Sequence, residues 1–313
     1  MISVRKFEYD IDERWQGKEI KAFLKHEGFS AAAVSSMKKN PKGIMLGRKR
    51  VTVLKTLHAG DHLTLRVREV RENDYLQPTR IELDIVYEDE DIVVINKPAG
   101  LPTHPVQNNH THTLANALVY HWQRQKTAAV YHPISRLDKD TTGLLLVAKN
   151  AHSAAKLSDA VRHREVTRVY LALARGTLCG SGRIDAPIVR CPDSVIKRCI
   201  GTVETENSRA VTHYRAMAQF SGCTLLLLRL ETGRTHQIRV HTAHIGHPLC
   251  GDWLYGEEGY LLSRPALHSY YLSFTHPISG RRLSFFAPLP EDMEHITGTI
   301  EINEEEIHET FDF

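Results

Sequence analysis

"HPISRLDKDTTGLLLVAKN", residues 132–150, places a charged loop directly before an uninterrupted apolar stretch. In an extended chain successive side chains point to opposite faces, so Arg136 and Asp138 share one face and Leu137 takes the other. The spacing predicts that Leu137 anchors the loop in the core and that Arg136 sets a positive charge beside Asp138. A carboxylate in that position can act as a nucleophile or a base. An ordinary loop ion pair or a turn-forming aspartate would use the same residues.

Length and composition predict a globular protein of about two domains, since 42% of the 313 residues are hydrophobic and 25% are charged. No stretch approaches the roughly 20 apolar residues of a membrane helix. The N-terminus is charged from its fifth residue and lacks the apolar core of a signal peptide. The five cysteines form no C-x-x-C pair. We therefore expect a cytoplasmic protein with reduced thiols and no membrane association.

The net charge of +3 conceals an asymmetry along the chain. Residues 291–313 hold nine of the 37 acidic residues and none of the 40 Lys and Arg residues. This composition predicts an acidic C-terminal tail on a basic body. A basic body suits a polyanionic partner, although a solvated terminal segment without further purpose has the same composition.

Residues 1–75 are predicted to form a small separate α/β unit. Helical spacing in "KEIKAFLKHEG" predicts a helix ending at Gly28, and Ser30 is placed to cap a second helix through "AAAVSSMKK". "NPKGIMLGRKRV" then predicts a turn, a short strand and a second turn, and "HAGDHLTLRV" predicts a turn and an alternating strand.

The stretch between the second helix and the hairpin is strongly basic. A basic cluster without an intervening acid is formed by Lys38, Lys39, Lys42, Arg48, Lys49 and Arg50. Such a cluster can bind nucleic acid through its phosphates, or it can be a solvated charged face. The order of elements resembles the alpha-L RNA-binding motif found in a ribosomal small-subunit protein, with "IMLGRKRV" where that motif usually reads V-N-G. The resemblance implies that the basic cluster binds RNA.

A polar linker is predicted over 76–84, followed by a larger domain over 85–290. "TLANALVYHWQRQ" predicts an amphipathic helix, whereas "GLLLVAK", "RVYLALARG", "AVTHYRAMAQF" and "CTLLLLRLE" predict strands. Helices and strands do not alternate regularly, and hairpin-like spacing predominates. The pattern therefore indicates an α+β domain around a mixed, mainly antiparallel sheet.

Residues 228–256, "LRLETGRTHQIRVHTAHIGHPLCGDWLYG", combine a strand, a turn and a helix predicted from about 236 to 245. Arg234 falls in the turn before the helix, where free N–H groups favour anions, so it can pair with a carboxylate or a phosphate. Arg239 is predicted to be structural or to bind the RNA backbone.

Four histidines in this stretch raise the possibility of a metal site: His236, His241, His244 and His247. The H-E-x-x-H pattern is missing and no cysteine or carboxylate completes an obvious ligand set. We predict no metal site and expect these histidines to be hydrogen-bonded or to face RNA phosphate. A metallohydrolase is the alternative, with bound zinc and chelator-sensitive activity.

In "REVTRVYLALARG", Tyr170 alternates with Ala172 and Ala174 on one face of a predicted strand. Small neighbours leave room above the ring, as a platform for a stacked base requires. A tyrosine of the core or of a strand edge would show the same pattern.

These stretches together resemble the RluA-type family of RNA pseudouridine synthases. The resemblance covers about 85–288 and includes "DEDIVVINKPAGLPTHP", "RLDKDTTGLLLVAK", "YLAL" and "ETGRTHQIRVH". It implies that Asp138 is the catalytic aspartate, that Tyr170 stacks on the target ring and that Arg234 pairs with Asp138. It also implies that Arg136 fills the space left by the flipped base. The family usually reads His-Arg-Leu-Asp, and Ser135 stands in place of that histidine.

The resemblance implies an isomerase that converts specific uridines of rRNA or tRNA to pseudouridine after flipping the base out. Such a reaction imports no group and needs no cofactor, in keeping with a sequence that lacks P-loop and dinucleotide fingerprints. The aspartate can add to the ribose or the base, or remove a proton from the sugar to give a glycal. We expect a monomer. The alternative is a non-catalytic RNA-binding protein with a degenerate synthase domain, for which Ser135 is the argument.

Overall fold

The computed structural model describes residues 3–69, 75–106, 109–202, 205–220 and 222–311. The helices are α1 (Ile20–His26), α2 (Ala31–Lys39), α3 (Leu114–Arg124), α4 (Ala151–Arg162), α5 (Gln237–His244), α6 (Glu291–Thr297) and α7 (Glu304–Phe311). The strands of the first half are β1 (Ser3–Asp10), β2 (Ile44–Leu46), β3 (Lys49–Arg50), β4 (His62–Glu69), β5 (Asp84–Glu88), β6 (Ile92–Lys97), β7 (His132–Pro133) and β8 (Thr142–Ala148). The remaining strands are β9 (Thr167–Arg175), β10 (Ser181–Asp185), β11 (Ile188–Arg190), β12 (Arg198–Ile200), β13 (Val211–Phe220), β14 (Cys223–Leu230), β15 (Leu267–Thr275) and β16 (Arg282–Phe286).

The N-terminal unit is a four-stranded antiparallel sheet in the order β1-β4-β2-β3, packed with α1 and α2. The Ser30 side chain accepts a hydrogen bond from the N–H of Ala33 and caps α2, as its position in the sequence predicts. Strand β1 was not predicted from the sequence. Its residues mix charged and apolar side chains, and the strand is stabilised by pairing with β4, which is distant in the chain. Residues 1–2 and 70–74, at the two ends of the predicted unit, lie outside the described residues.

The N-terminal unit is packed against the larger domain. The ring of Phe29 stacks on that of His152 with centroids 3.9 Å apart. Arg5 pairs with the buried carboxylate of Asp91 at 2.8 Å. The predicted linker contributes to the core too, because Leu76 is buried and the carbonyl of Gln77 accepts a hydrogen bond from an α3 side chain.

The larger domain is built on a sheet in the order β10-β13-β14-β9-β15-β8-β6-β5, with β16 beside β15 and β7 beside β8. All of its described pairings are antiparallel except β8 with β15. The predicted α+β class with a mixed, mainly antiparallel sheet is therefore confirmed.

Both faces of the central strands are covered, which explains the uninterrupted apolar run of β8. Leu145 and Val147 belong to the core that includes residues of α3, whereas Leu144 and Leu146 belong to the core that includes residues of α4. A strand buried on both faces reads as a continuous hydrophobic stretch, not as an alternation. Every residue of β8 is buried.

The acidic C-terminal segment is not a free tail. It folds into α6 and α7, whose Met293 and Ile307 are fully buried against residues of β9 and β15. The prediction of a tail was wrong because it rested on the many acids of the segment. Three apolar residues among those acids, Met293, Ile302 and Ile307, are buried and hold the segment against the domain.

Among the described residues, no helix combines the length and the apolar character that crossing a bilayer requires.

The start of β8 lies against β15 without room for a side chain. Gly143 has φ +102°, and a Cβ added there would lie 2.3 Å from the backbone oxygen of Ser269. The close approach lets β8 and β15 pair in parallel directly after the loop that holds Asp138.

Gly143→Ala is expected to lower the free energy of unfolding by about 3 kcal/mol, since backbone strain and a backbone clash combine. Gly47→Ala is the matched control, because Gly47 also has a positive φ (+56°) but nothing lies within 4 Å of its added Cβ. The control is expected to lose about 1 kcal/mol. Thermal unfolding by calorimetry measures both variants, and equal losses would contradict the importance of the β8–β15 contact.

Candidate active site

The loop of residues 136–141 has the alternation that its sequence predicts. Leu137 is buried in the main core, Arg136 is exposed and the Asp138 side chain is 27% exposed. Asp138 faces a small cavity of about 50 Å³. The loop therefore presents one carboxylate to a cavity while its intervening leucine fixes it to the core.

The main chain of this loop is held at four consecutive carbonyls. Two donors are neutral groups and two are buried cations. The hydrogen bonds are Thr103 Oγ1 to Leu137 O (2.9 Å), Thr141 N to Asp138 O (3.2 Å), Lys97 Nζ to Lys139 O (2.9 Å) and Arg264 Nη1 to Asp140 O (3.2 Å). Because the acceptors are consecutive, the loop has little freedom to change its path.

Lys97 was not singled out by sequence reasoning, although it belongs to the "NKPAGLP" stretch. Its side chain is fully buried and donates to three carbonyls, those of Pro98, Leu101 and Lys139. Burial lowers the pKa of Lys97 to about 7, and the carboxylates of Asp140 and Asp138 act in the opposite direction. Lys97 thus ties the Pro/Gly loop after β6 to the loop that holds Asp138.

Arg239, not Arg234, is the cation against Asp138. Its Nη1 donates to Asp138 Oδ2 at 3.3 Å, while Nε and Nη2 form a bidentate pair with Asp252 at 2.7 and 2.8 Å. Burial disfavours the charged guanidinium, but the bonds and charges of Asp252 and Asp138 outweigh it and raise the pKa of Arg239. The prediction that Arg239 is structural or backbone-binding missed this contact with the carboxylate.

Arg234 lines the same cavity, but its described hydrogen bonds go to residues other than Asp138. Its side chain donates to the carbonyls of Arg209 (3.0 Å) and Glu206 (2.8 Å), and its N–H donates to Gln237. The buried Gln237 side chain also bonds to β13, so it fastens the turn before α5 to the sheet. The predicted Arg234–Asp138 pair is therefore replaced by a tether between two loops.

His236 lies beside Asp138 in a strained backbone conformation. It precedes α5 with φ +58°, a left-handed conformation that is rare for a residue with a side chain. Its Nδ1 lies 2.8 Å from the Tyr255 hydroxyl, and its Nε2 lies 3.9 Å from Asp138 Oδ2. Burial lowers the pKa of His236, so the ring is neutral at pH 7.

The hydrogen bonds around Tyr255 define which nitrogen of His236 carries the proton. The Tyr255 hydroxyl accepts a hydrogen bond from the N–H of Arg198 at 2.8 Å, so its own proton is available to His236 Nδ1. With Nδ1 accepting from Tyr255, Nε2 is the nitrogen left to carry the ring proton, and it lies 3.9 Å from Asp138 Oδ2. This contact was not predicted, because the sequence places Tyr255 nineteen residues away from the histidine.

Tyr170 forms part of the cavity wall opposite α5. It lies in β9 between β14 and β15, and its side chain is almost fully buried beside Ala172 on the same face. Burial raises the pKa of its hydroxyl, so the phenol is neutral. Tyr170 therefore lines the cavity that holds Asp138, whereas Ala172 and Ala174 of the same face are buried in the core beyond it.

Arg136 lies at the mouth of the cavity. Its Nη2 donates to Thr235 Oγ1 at 3.1 Å, which joins the 136–141 loop to the turn before α5. Ser135, where the resemblance leads one to expect a histidine, is partly buried in the preceding bend. The departure therefore falls outside the residues that line the cavity.

The histidines considered as metal ligands have separate partners. His241 bonds to Thr212 and to the carbonyl of Ala186, and His247 bonds to the carbonyl of Arg175. These interactions match the expectation of hydrogen-bonded histidines for these two residues.

A different group, Asp89, Asp91 and His276, brings ligand-type atoms within 4.8 Å of one another. His276 Nε2 donates a hydrogen bond to the Asp89 carboxylate at 2.9 Å, and Arg5 pairs with the carboxylate of Asp91. The guanidinium supplies the positive charge that a metal ion would bring. This group is therefore an ion-pair network between the N-terminal unit and the larger domain.

The basic cluster is exposed at the end of α2 and on the adjoining turns. All six of its side chains are solvent-exposed, and Arg50 donates to the carbonyl of Lys38 at 3.1 Å. That bond connects β3 to the last turn of α2, so Arg50 lies beside the lysines that end this helix.

Comparisons with known proteins identify the family of this chain. A family model described as RNA pseudouridylate synthase matches residues 91–244. The Bacillus subtilis (strain 168) protein named uncharacterized RNA pseudouridine synthase YjbO is 38% identical over 278 residues, 88% of this chain and 97% of the relative. Ribosomal large subunit pseudouridine synthase D of Escherichia coli (strain K12) is 42% identical over 259 residues, 78% of each chain.

Among solved structures, human RNA Pseudouridylate Synthase Domain Containing 1 superposes with a TM-score of 0.57 at 28% identity. The match covers 73% of this chain and 94% of the human one. The chain belongs to the RluA-type family of RNA pseudouridine synthases, and it is an isomerase that acts on RNA.

Arg239→Lys is expected to lower the rate of isomerisation at saturating RNA by about 100-fold, because a lysine cannot bridge Asp252 and Asp138 at once. Arg234→Lys is expected to lose less than about tenfold, since an ammonium can still donate to one of its two carbonyls. Single-turnover rates measure both variants, with circular dichroism as a check of folding. A larger loss in Arg234→Lys would restore that residue as the partner of Asp138.

Proposed function

We propose that Asp138 is the carboxylate that breaks the bond between uracil and ribose. The observation that carries the proposal is that Asp138 is the one acid among the described residues that line the cavity. Arg239 and His236 approach the same oxygen of this carboxylate from α5 and from its N-terminal edge. Such an arrangement leaves the other oxygen free to meet a substrate.

The reaction requires little else from the protein. Pseudouridine formation breaks a carbon–nitrogen bond, turns the base and joins it to the same ribose carbon through carbon, so electrons and atoms balance without a co-reactant. Arg239 balances the charge of the carboxylate in a site that is mostly shielded from water. The Tyr170 ring bounds the space in which the base turns.

The target uridine reaches this cavity by leaving its helix. Extruding a base from an RNA stack costs a few kcal/mol. Arg136 is exposed at the mouth, where its guanidinium can occupy the space that the base leaves, and Tyr170 offers its ring to the base inside. These two contacts offset part of the cost of flipping.

We propose large-subunit ribosomal RNA as the substrate. Relatives named for that activity are about 40% identical to this chain over more than three quarters of its length. The basic cluster supports binding to a large structured RNA, because Lys and Arg side chains that neutralise phosphates supply affinity without regard to sequence. The N-terminal unit then holds the RNA while the larger domain modifies it.

Asp138→Ala is expected to abolish isomerisation and to leave RNA affinity within about threefold of the wild type, because the phosphate contacts remain. Release of tritium from RNA labelled at carbon 5 of uridine measures turnover, with total RNA from a strain that lacks the protein as substrate. Asp159→Ala, which removes a half-exposed carboxylate of α4 that pairs with Arg162 on the same helix, is the control. Turnover by Asp138→Ala would remove this residue from its role, and no release by the wild type would favour a non-catalytic RNA-binding protein.

Replacing Lys38 and Lys39 together by glutamine is expected to weaken RNA binding by about tenfold at physiological salt. Each lost phosphate contact also lowers the slope of log affinity against log salt by about 0.7 to 0.9. Arg124→Gln with Lys126→Gln removes the same charge from the end of α3 and serves as the control. Filter binding over a salt series measures the effect. Equal slopes for the two double variants would show that RNA binding depends on the net charge of the protein and not on the position of Lys38 and Lys39.

A further inference from the structure

The chain turns sharply directly after Asp138, and its path there depends on buried cations. The Asp138 carbonyl is used within the turn by the N–H of Thr141, whereas the next two carbonyls accept from Lys97 and Arg264. Hydrogen bonds from a charged donor are roughly twice as strong as neutral ones. The guanidinium of Arg264 is therefore the principal charged restraint on the peptide that follows Asp138, whereas burial lowers the pKa of Lys97 to about 7 and makes it a partly charged donor at pH 7.

Arg264 is nearly fully buried and is itself oriented by α6. Its Nε and Nη2 form a bidentate pair with Asp292, each bond being 2.7 Å long. A bidentate pair fixes the plane of the guanidinium. The remaining nitrogen, Nη1, then points at the carbonyl of Asp140 at 3.2 Å and at the carbonyls of Pro265 and Leu267 at the start of β15.

Asp292 can fix the orientation of Arg264 because α6, the helix that carries Asp292, is itself packed into the core. It occupies the first turn of α6, and the following residue, Met293, is fully buried in the core beneath the sheet. The Asp292 side chain is 43% exposed, so only one side of it is committed to Arg264. A carboxylate near a helix N-terminus is also favoured by the helix dipole.

We infer that Asp292 and Arg264 are positioning residues for Asp138, so that the acidic C-terminal segment controls the rate of the chemical step. This inference rests on the proposed role of Asp138. The route is continuous, from the Asp292 carboxylate through the Arg264 guanidinium to the carbonyl of Asp140, two residues from the reacting group. A displacement of about 1 Å at a reacting group can cost on the order of 100-fold in rate.

The proposal separates positioning from RNA binding. Asp292 is an acid, and it lies on the C-terminal segment that carries nine acidic residues and no Lys or Arg, which makes it a poor contact for phosphate. Loss of the pair should therefore change the rate of isomerisation on bound RNA and leave the affinity for RNA unchanged. A merely structural pair would instead lower stability and leave that rate unchanged.

Asp292→Asn keeps the shape of the side chain but removes its charge, and Asp292→Glu keeps the charge. Glu291→Gln is the matched control, because it removes the neighbouring charge from the same turn of α6, where Glu291 is 87% exposed. Single-turnover tritium release at saturating RNA, RNA affinity by filter binding and thermal unfolding are measured for all three variants, with Asp138→Ala alongside.

Asp292→Asn is expected to slow isomerisation by about tenfold with RNA affinity within about twofold of the wild type. Asp292→Glu should recover part of the rate, and Glu291→Gln should match the wild type. A wild-type rate in Asp292→Asn, whatever its melting temperature, would overturn the inference, as would a loss confined to RNA affinity. If Asp138→Ala remained active, the proposed function would fail first, and the two failures are thus distinguishable.

Hydrogen exchange of the full-length protein gives a second readout that does not depend on activity. The N–H of Thr141 reports on the turn after Asp138, since it is bonded to the Asp138 carbonyl. Asp292→Asn is expected to speed exchange in the peptide that covers 138–142, with no change in the N-terminal unit. Unchanged exchange in that peptide would show that Arg264 holds its place without Asp292 and would overturn the inference.

Discussion

The buried guanidinium of Arg239 is the interaction on which the site depends. Burying a charge is costly unless the charged group forms its hydrogen bonds within the protein. All three nitrogens of the Arg239 guanidinium donate hydrogen bonds. Asp252 takes two of its nitrogens and Asp138 takes the third. Asp252 also accepts the N–H groups of Leu254 and Tyr255, so the same carboxylate shapes the loop that carries the Tyr255 ring. One ion pair thus aligns α5, that loop and the carboxylate of Asp138.

The sheet supplies a rigid frame for this ion pair. Asp138 precedes β8, Tyr170 lies in β9, and both strands pair with β15. Side chains on elements buried on both faces have few alternative positions, which is what a site with narrow geometric tolerance requires. The close contact at Gly143 keeps β8 against β15 at the point where the 136–141 loop begins its return into the sheet.

Local patterns in the sequence were enough to predict those parts of the fold and of the site that depend on residues close together in the chain. The alternation around Leu137, the small residues beside Tyr170 and the cap at Ser30 are all properties of neighbours along the chain. The cation that pairs with Asp138 could not be predicted in this way, because Arg239 is 101 residues away along the chain. Whether Arg234 or Arg239 reaches Asp138 depends on the orientation of α5 in the folded protein. His236 precedes α5 with a left-handed backbone and Arg239 lies within the helix, so their approach to the same oxygen of Asp138 could not be inferred from their spacing in the sequence.

The acidic segment shows why a charge count does not determine the role of a segment. Its acids were expected to be solvated, and many are, but the buried Met293 and Ile307 bring one of them, Asp292, onto a buried arginine. That arginine belongs to the turn before β15 and reaches the loop of Asp138. The remaining carboxylates give the segment a negative charge that disfavours phosphate near it. The acids of this segment therefore have two kinds of effect: Asp292 and Glu304 accept hydrogen bonds from the body of the protein, and the exposed carboxylates set a negative field around the segment.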